Sequence, residues 1–178
     1  MIKRLAPVFF SAAVLFVLFL TFWQRTPGPR LTEIRHQMEV DMNIIDFSMV
    51  QGHEGEVQWE LFSEDAGFLE DKDIFILDNP LITYHAGDGS GLMVIRASQG
   101  MVLQRENTVH LWPDVRADHG DLEVRSGKAT YLGGENSILL EDDVFFRGRG
   151  ITVRSPQARI KLDQELIIST GGVSTLLD

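Results

Sequence analysis

No cysteine occurs among the 178 residues, which excludes a disulfide framework and any thiolate metal site. Basic residues are scarce as well: 16 Lys and Arg against 26 Asp and Glu leave a net charge of −10. Such a balance keeps a soluble domain dispersed and argues against nucleic acid as a partner. Helical periodicity is missing from 40–178, where no stretch spaces apolar residues three and four apart for a dozen positions. Groupings that carry chemistry are missing too. The five histidines, His36, His53, His85, His110 and His119, fit no metal-ligand spacing, and no His-x-His with a following Glu appears. They read as scattered surface residues, with His110 on an outer face and His119 in a turn. Asp142-Asp143 and the pair Asp71 and Asp73 fall in or beside turns, where carboxylates are ordinary solvated punctuation. Without a phosphate loop, a nucleophile elbow or a Ser/His/Asp grouping, the chain gives no support for an enzyme, a cofactor or a metal.

What the sequence does contain is a repeat. Arg125-Ser126-Gly127-Lys128-Ala129 lies 29 residues after Arg96-Ala97-Ser98-Gln99-Gly100 and 29 before Arg154-Ser155-Pro156-Gln157-Ala158. Val109, Ile138 and Ile167 keep the same step, as do Val115, Val144 and Val173. An earlier copy, Trp59–Tyr84, matches at a step of 34, the difference being the loop Gly87-Asp88-Gly89-Ser90-Gly91. Self-similarity of this kind marks stacked units that cannot bury their apolar faces alone. Each unit reads as two strands. In Leu122-Glu123-Val124-Arg125 and Ile151-Thr152-Val153-Arg154 apolar and polar residues alternate, as a half-buried strand requires. Gly133-Gly134, Asp118-His119-Gly120, Gly148-Arg149-Gly150 and Gly171-Gly172 supply the turns. The expectation is an all-β domain over 41–178: a twisted two-sheet stack of repeated strand pairs.

Ahead of it, Leu5–Trp23 is a run of 19 residues without charge, about 28 Å long as a helix and close to a bilayer's hydrocarbon thickness. A cleavable signal peptide has a shorter apolar core and a small-x-small site, and Thr21-Phe22-Trp23-Gln24-Arg25-Thr26-Pro27 offers none. The expected organisation is therefore a short cytoplasmic start over 1–4, a retained transmembrane helix over 5–23, and a linker over 24–40. The large domain after the span favours an N-terminus inside.

The inward, apolar set expected from alternation is Trp59, Leu61, Phe75, Leu77, Val94, Val102, Leu111, Val124, Tyr131, Leu140, Phe146, Val153, Ile160 and Leu162. In a closed sandwich this face is core; where the sheets splay, it is an apolar groove along the repeats. Periodicity leaves both open. A first strand over Met42–Val50, including Ile44, has no repeat mate before it and should form an edge open to another sheet. Arg96, Arg125 and Arg154 occupy equivalent strand positions and should stack as a ladder, either a track for anionic groups or a solvated face paired with carboxylates such as Glu123. The second is the expectation, given the acidic total.

A short start, one span, the strand Gly55-Glu-Val-Gln-Trp59-Glu-Leu61 and then repeated paired strands resemble the LptC family, the membrane-anchored component of lipopolysaccharide export. The resemblance covers nearly the whole chain, with its best local matches at Gly55–Ala66, Leu77-Asp-Asn-Pro80 and Leu139–Leu162. Where the family often carries Ala in its Trp-x-Leu-x-Ala segment, Ser63 stands here. The resemblance implies a β-jelly roll related to LptA, and a single inner-membrane helix packed against an ABC transporter. It implies that lipopolysaccharide enters the roll from the transporter and passes on to LptA. The N-terminal edge (Ile44, Gly55) would meet the transporter's own jelly roll, and the C-terminal edge (Leu166, Ile167, Ile168) would meet LptA.

Three functions compete on this reading. A non-enzymatic lipid conduit in the periplasm needs an apolar interior with free ends. A structural adaptor would dock partners through its edges with a closed, packed interior. A sugar-binding or sugar-modifying β-protein would need exposed aromatics beside paired carboxylates, for which Trp112 is the one hint.

Overall fold

The computed structural model describes residues 40–53, 55–85, 91–148, 150–164 and 166–177. The expected membrane helix and nearly all of the linker lie outside these residues, as does most of the loop 87–91. Among the described residues no helix is long and apolar enough to cross a membrane. The chain divides into a unit Met1–Met38 and a unit Glu39–Asp178, and the β-domain occupies the second.

That domain is a succession of antiparallel strands: β1 (Met42–His53), β2 (Glu56–Leu69), β3 (Ile74–Asp78), β4 (Leu81–His85), β5 (Leu92–Arg96), β6 (Gln99–Leu103), β7 (Thr108–Trp112), β8 (Val115–His119), β9 (Leu122–Ser126), β10 (Lys128–Leu132), β11 (Ser137–Gly148), β12 (Ile151–Lys161), β13 (Leu166–Thr170) and β14 (Ser174–Leu177). The only helical elements among the described residues are the short 3-10 turns Glu70–Lys72 and Gly133–Glu135. The all-β expectation holds.

The pairing separates these strands into two walls. The first runs through 42–45 of β1, 65–69 of β2, then β3, β6, β7, β10, 137–141 of β11, 157–161 of β12 and β13. The second runs through 47–53 of β1, 56–62 of β2, then β4, β5, β8, β9, 144–148 of β11, 151–155 of β12 and β14. Long strands thus serve both walls, and β11 crosses at a bulge between Glu141 and Val144. Each 29-residue unit consequently holds four short segments rather than the two strands expected. The break falls inside the repeated motif, between Arg96 and Gln99, and again between Ser126 and Lys128.

The chemistry of these corners explains why the strands turn there. Asp46, Asn79, Asp114, Asp142 and Asp143 all adopt positive φ at wall crossings, a conformation Asn and Asp tolerate better than other side chains. Ser63, Ser126 and Ser155 are buried, and each hydroxyl donates to the carbonyl two residues on, at 2.7, 2.9 and 3.0 Å. Ser63 also lies 2.7 Å from the Asp78 carbonyl oxygen. The turns at the far end of the first wall are stitched together as well, with Gln104 N–H donating to Asp73 O, Gly133 N–H to Asn107 O and Leu162 N–H to Asn136 O.

Between the walls lies one apolar core, from Phe47, Trp59 and Leu61 through Leu77, Leu111 and Val124 to Val144, Phe146, Ala158 and Ile160. Phe47 and Phe68 both pack their rings against Phe75, with centroids 4.6 Å apart in each pair.

Candidate functional site: an apolar cleft between the walls

Thirteen of the fourteen residues expected to face inward do so. Trp59, Leu61, Leu77, Val102, Leu111, Val124, Leu140, Phe146 and Ile160 are buried in the core, and Phe75, Tyr131, Val153 and Leu162 pack against it. Val94 is the exception. On β5 the cleft is lined by Met93 and Ile95, so Val94 alternates outward, opposite Asp118 on β8. Its repeat equivalents are Glu123 and Thr152, both polar; a valine on the outer surface of a strand satisfies β-propensity without being core.

The unoccupied space between the walls is a narrow cleft of about 40 Å³ lined by seventeen residues, of which Trp59, Tyr84, Ser126 and Tyr131 bring polar atoms. The rest of the lining is hydrocarbon and one thioether, including Ile82, Met93, Ile95, Val109 and Ile138, none of which stood in the expected inward set. The step linking Val109, Ile138 and Ile167 was the signal for two of them. The Ser126 hydroxyl donates to the Lys128 carbonyl at the start of β10, so it offers the cleft nothing. The other three gather at one level. Trp59 and Tyr84 are direct cross-strand partners in the second wall, and Tyr131 reaches from the first wall to meet Trp59 edge-on, ring centroids 6.1 Å apart at 78°. Trp59 is only 4% exposed, and its indole Nε1–H has no acceptor among the described residues. Burial, then the neighbouring Tyr131 and Asp163, push the Tyr84 hydroxyl above its ordinary pKa, so it stays a protonated donor.

Both ends of the stack are open edges. Among the described residues β1 pairs only with β2 and exposes Met42, Ile45 and Val50, whereas Ile44 turns inward against the core. Gly55 is not on this edge: it sits in the β1–β2 turn at φ +89°. At the other end β13 pairs, among the described residues, only with β12 and exposes Leu166, Ile167 and Ile168. Edge strands of this length and apolarity are templates for pairing with another sheet.

The arginine ladder forms, and cross-strand pairing inserts two more residues, so that Arg96, Arg116, Arg125, Phe145 and Arg154 make one row on the outer face of the second wall. Arg96 pairs with Asp118 at 3.5 Å, and Arg125 pairs with Glu123. Arg125, Arg147 and Arg154 lie 6.0, 5.2 and 5.4 Å from the Phe145 ring centroid. Carboxylate pairing thus accounts for Arg96 and Arg125, while Arg154 stacks on the ring. His110 faces outward on the first wall, bonded to Thr130 at 3.0 Å, and no group of His, Asp and Glu among the described residues is arranged to hold a metal.

Comparison with known proteins agrees with this architecture. A family model described as lipopolysaccharide-assembly, LptC-related, matches residues 10–122, well over half of the chain. No curated protein matches. The crystal structure of LptH, the LptA homologous periplasmic component of the conserved lipopolysaccharide transport device from Pseudomonas aeruginosa, is similar with a TM-score of 0.56 at 8% identity, over 67% of this chain and 94% of that one. That likeness is one of fold. The chain belongs to the LptC-related family of lipopolysaccharide-assembly proteins, and its role lies in lipopolysaccharide transport.

Proposed function

We propose that this protein is a non-enzymatic conduit. It is held at the inner membrane by the uncharged run 5–23 and carries the acyl chains of lipopolysaccharide between its two walls. In this reading it receives the lipid from the inner-membrane ABC transporter and passes it to LptA. The single observation that carries the reading is the apolar cleft, almost entirely hydrocarbon in lining and continuous with a core that runs to free strands at both ends. The energetics agree. Each methylene withdrawn from water is worth about 0.8 kcal/mol, so a chain of about a dozen carbons exposed in the periplasm would cost roughly 10 kcal/mol. A carrier must cover it, and transfer between similar grooves is nearly isoenergetic, so this component requires no fuel of its own.

The cleft's size sets a condition. At about 40 Å³ it has room for about three water molecules, at ~10–15 Å³ each by the same measure. An acyl chain enters only when the walls part. The same narrowness favours a second reading, an adaptor with a packed interior that joins partner rolls through β1 and β13 alone.

Photo-crosslinking separates the two. A photoreactive residue in place of Phe146 or Ile160 is expected to capture lipopolysaccharide, while one in place of Glu123 or Arg125, on the outer face, is not. Equal labelling of both sets contradicts the conduit and leaves the adaptor.

A further inference from the structure

The cleft is not uniformly greasy. The indole and the two phenols that line it sit together, and their place in the fold is specific. Tyr84 is the penultimate residue of β4 and Tyr131 the penultimate residue of β10, so both stand at the strand ends farthest from the corners, the rim of the cleft. The corner seam, by contrast, lies at the opposite end of these strands, where Leu81 and Lys128 begin them. Trp59 joins the two, pairing with Tyr84 in its own wall and touching Tyr131 across the cleft. Its indole N–H is buried with no acceptor among the described residues. An unpaired buried donor is costly, a cost that a packed core ordinarily avoids by using phenylalanine or leucine at the position.

From this arrangement we infer that Trp59, Tyr84 and Tyr131 form a hydrogen-bonding station at the rim of the cleft that recognises the acyl linkage of the cargo, the ester or amide carbonyl oxygen through which a fatty chain joins its sugar. The inference rests on the conduit reading and deepens it. A carbonyl accepts and does not donate, which suits the Trp59 indole N–H, a donor only, flanked by two hydroxyls that can each donate as well. Position matches as well. Hydrocarbon tails occupy the deep, featureless part of the cleft, toward Val115 and Val124, while the linkage beside the sugar lies where the chain leaves the protein, at the rim. The station then fixes how far a tail descends, and it closes the gap between the walls when no lipid is present, because Trp59 and Tyr131 rest against each other. An apolar interior alone would hold any fatty molecule; donors at a fixed depth select chains that carry a carbonyl there.

The test uses the full chain in detergent micelles and two synthetic lipids. One is a phosphorylated glucosamine disaccharide with ester- and amide-linked acyl chains; the other is its ether-linked analogue with the same chain lengths and no carbonyl. Trp59→3-benzothienylalanine replaces the N–H by sulfur and keeps the shape of the ring. Tyr131→Phe removes a hydroxyl and nothing else. Each variant is expected to bind the ester- and amide-linked lipid about three- to tenfold more weakly than the unmodified chain, the range of one hydrogen bond, and to bind the ether-linked lipid unchanged. Unchanged affinity for the carbonyl-bearing lipid in both variants overturns the station and leaves the conduit standing. Equal loss for both lipids also overturns it, since shape rather than hydrogen bonding would then be at work. Failure of the unmodified chain to bind either lipid overturns the conduit and the station with it.

Discussion

Ser63 stands where the family often has alanine, and its setting shows what the hydroxyl does. It is fully buried, its oxygen lies 2.7 Å from the carbonyl oxygens of both Asp65 and Asp78, and Ser126 and Ser155 repeat its bond to the carbonyl two residues on. Ser63→Ala is expected to lower unfolding free energy by about 1 kcal/mol, measured by urea denaturation, with the fold intact because Ala97 already fills the equivalent corner. His110 gives a second residue-level expectation. Burial lowers its pKa, against a smaller upward pull from Glu106. The fold therefore favours the neutral ring, and the unfolded chain binds the proton more readily. Its contribution is fully present above the ordinary value of 6.5 and is lost as pH falls through the depressed folded value. His110→Gln should flatten the fall in melting temperature on acidification below that point; an unchanged slope would assign the loss to other groups. Val94 teaches the opposite lesson about single residues. Hydrophobicity pointed it inward, whereas its equivalence with Glu123 pointed it outward, and the register prevailed.

At the scale of elements, the 29-residue step was legible because it recurs in the corner motif itself, Arg125-Ser126-Gly127 against Arg154-Ser155-Pro156. What stayed hidden was the meaning of that motif. Alternation of apolar and polar residues shows which way a strand faces but not that it leaves one sheet for another, and so two strands per unit were expected where four segments exist. Gly127 marks one such crossing. Its N–H donates to Asp142 O at 2.7 Å, and an added Cβ would sit 2.6 Å from the Asp142 Cβ. Gly127→Ala should therefore destabilise the domain by about 1–3 kcal/mol, visible as a lower urea midpoint. The edges were legible in kind, through the missing repeat mate before β1, although Gly55 turned out to belong to a turn. Along β13, successive backbone N–H groups alternate between the β12 side and the open side. Proline placed singly at Ile167 and Ile168 should thus behave differently: one substitution loosens the bond to β12, and the other weakens pairing with the downstream partner while stability is kept. Unchanged partner affinity in both would remove β13 from the proposed handover.

For the molecule as a whole, composition and periodicity led correctly to an all-β domain with an apolar interior. They left undecided whether that interior is closed or open, because the same side chains line both. The distinction depends on the spacing between walls, which no pattern along one strand records. The structure answers with a cleft of about 40 Å³, closed by an aromatic contact between Trp59 and Tyr131. The proposed conduit requires these walls to breathe. The walls are tied by strands bending at Asp46, Asn79, Asp114 and Asp142, so the rim opposite these corners is where they separate. Because the chain has no native cysteine, spin labels can be placed uniquely at Arg147→Cys, on the outside of the second wall, and Lys161→Cys, on the outside of the first. Pulsed electron spin resonance between these labels in the full chain is the most direct measurement of the claim. The account predicts a longer label-to-label distance when lipopolysaccharide is added and no change with its deacylated sugar. A distance that stays fixed at saturating lipopolysaccharide would contradict it.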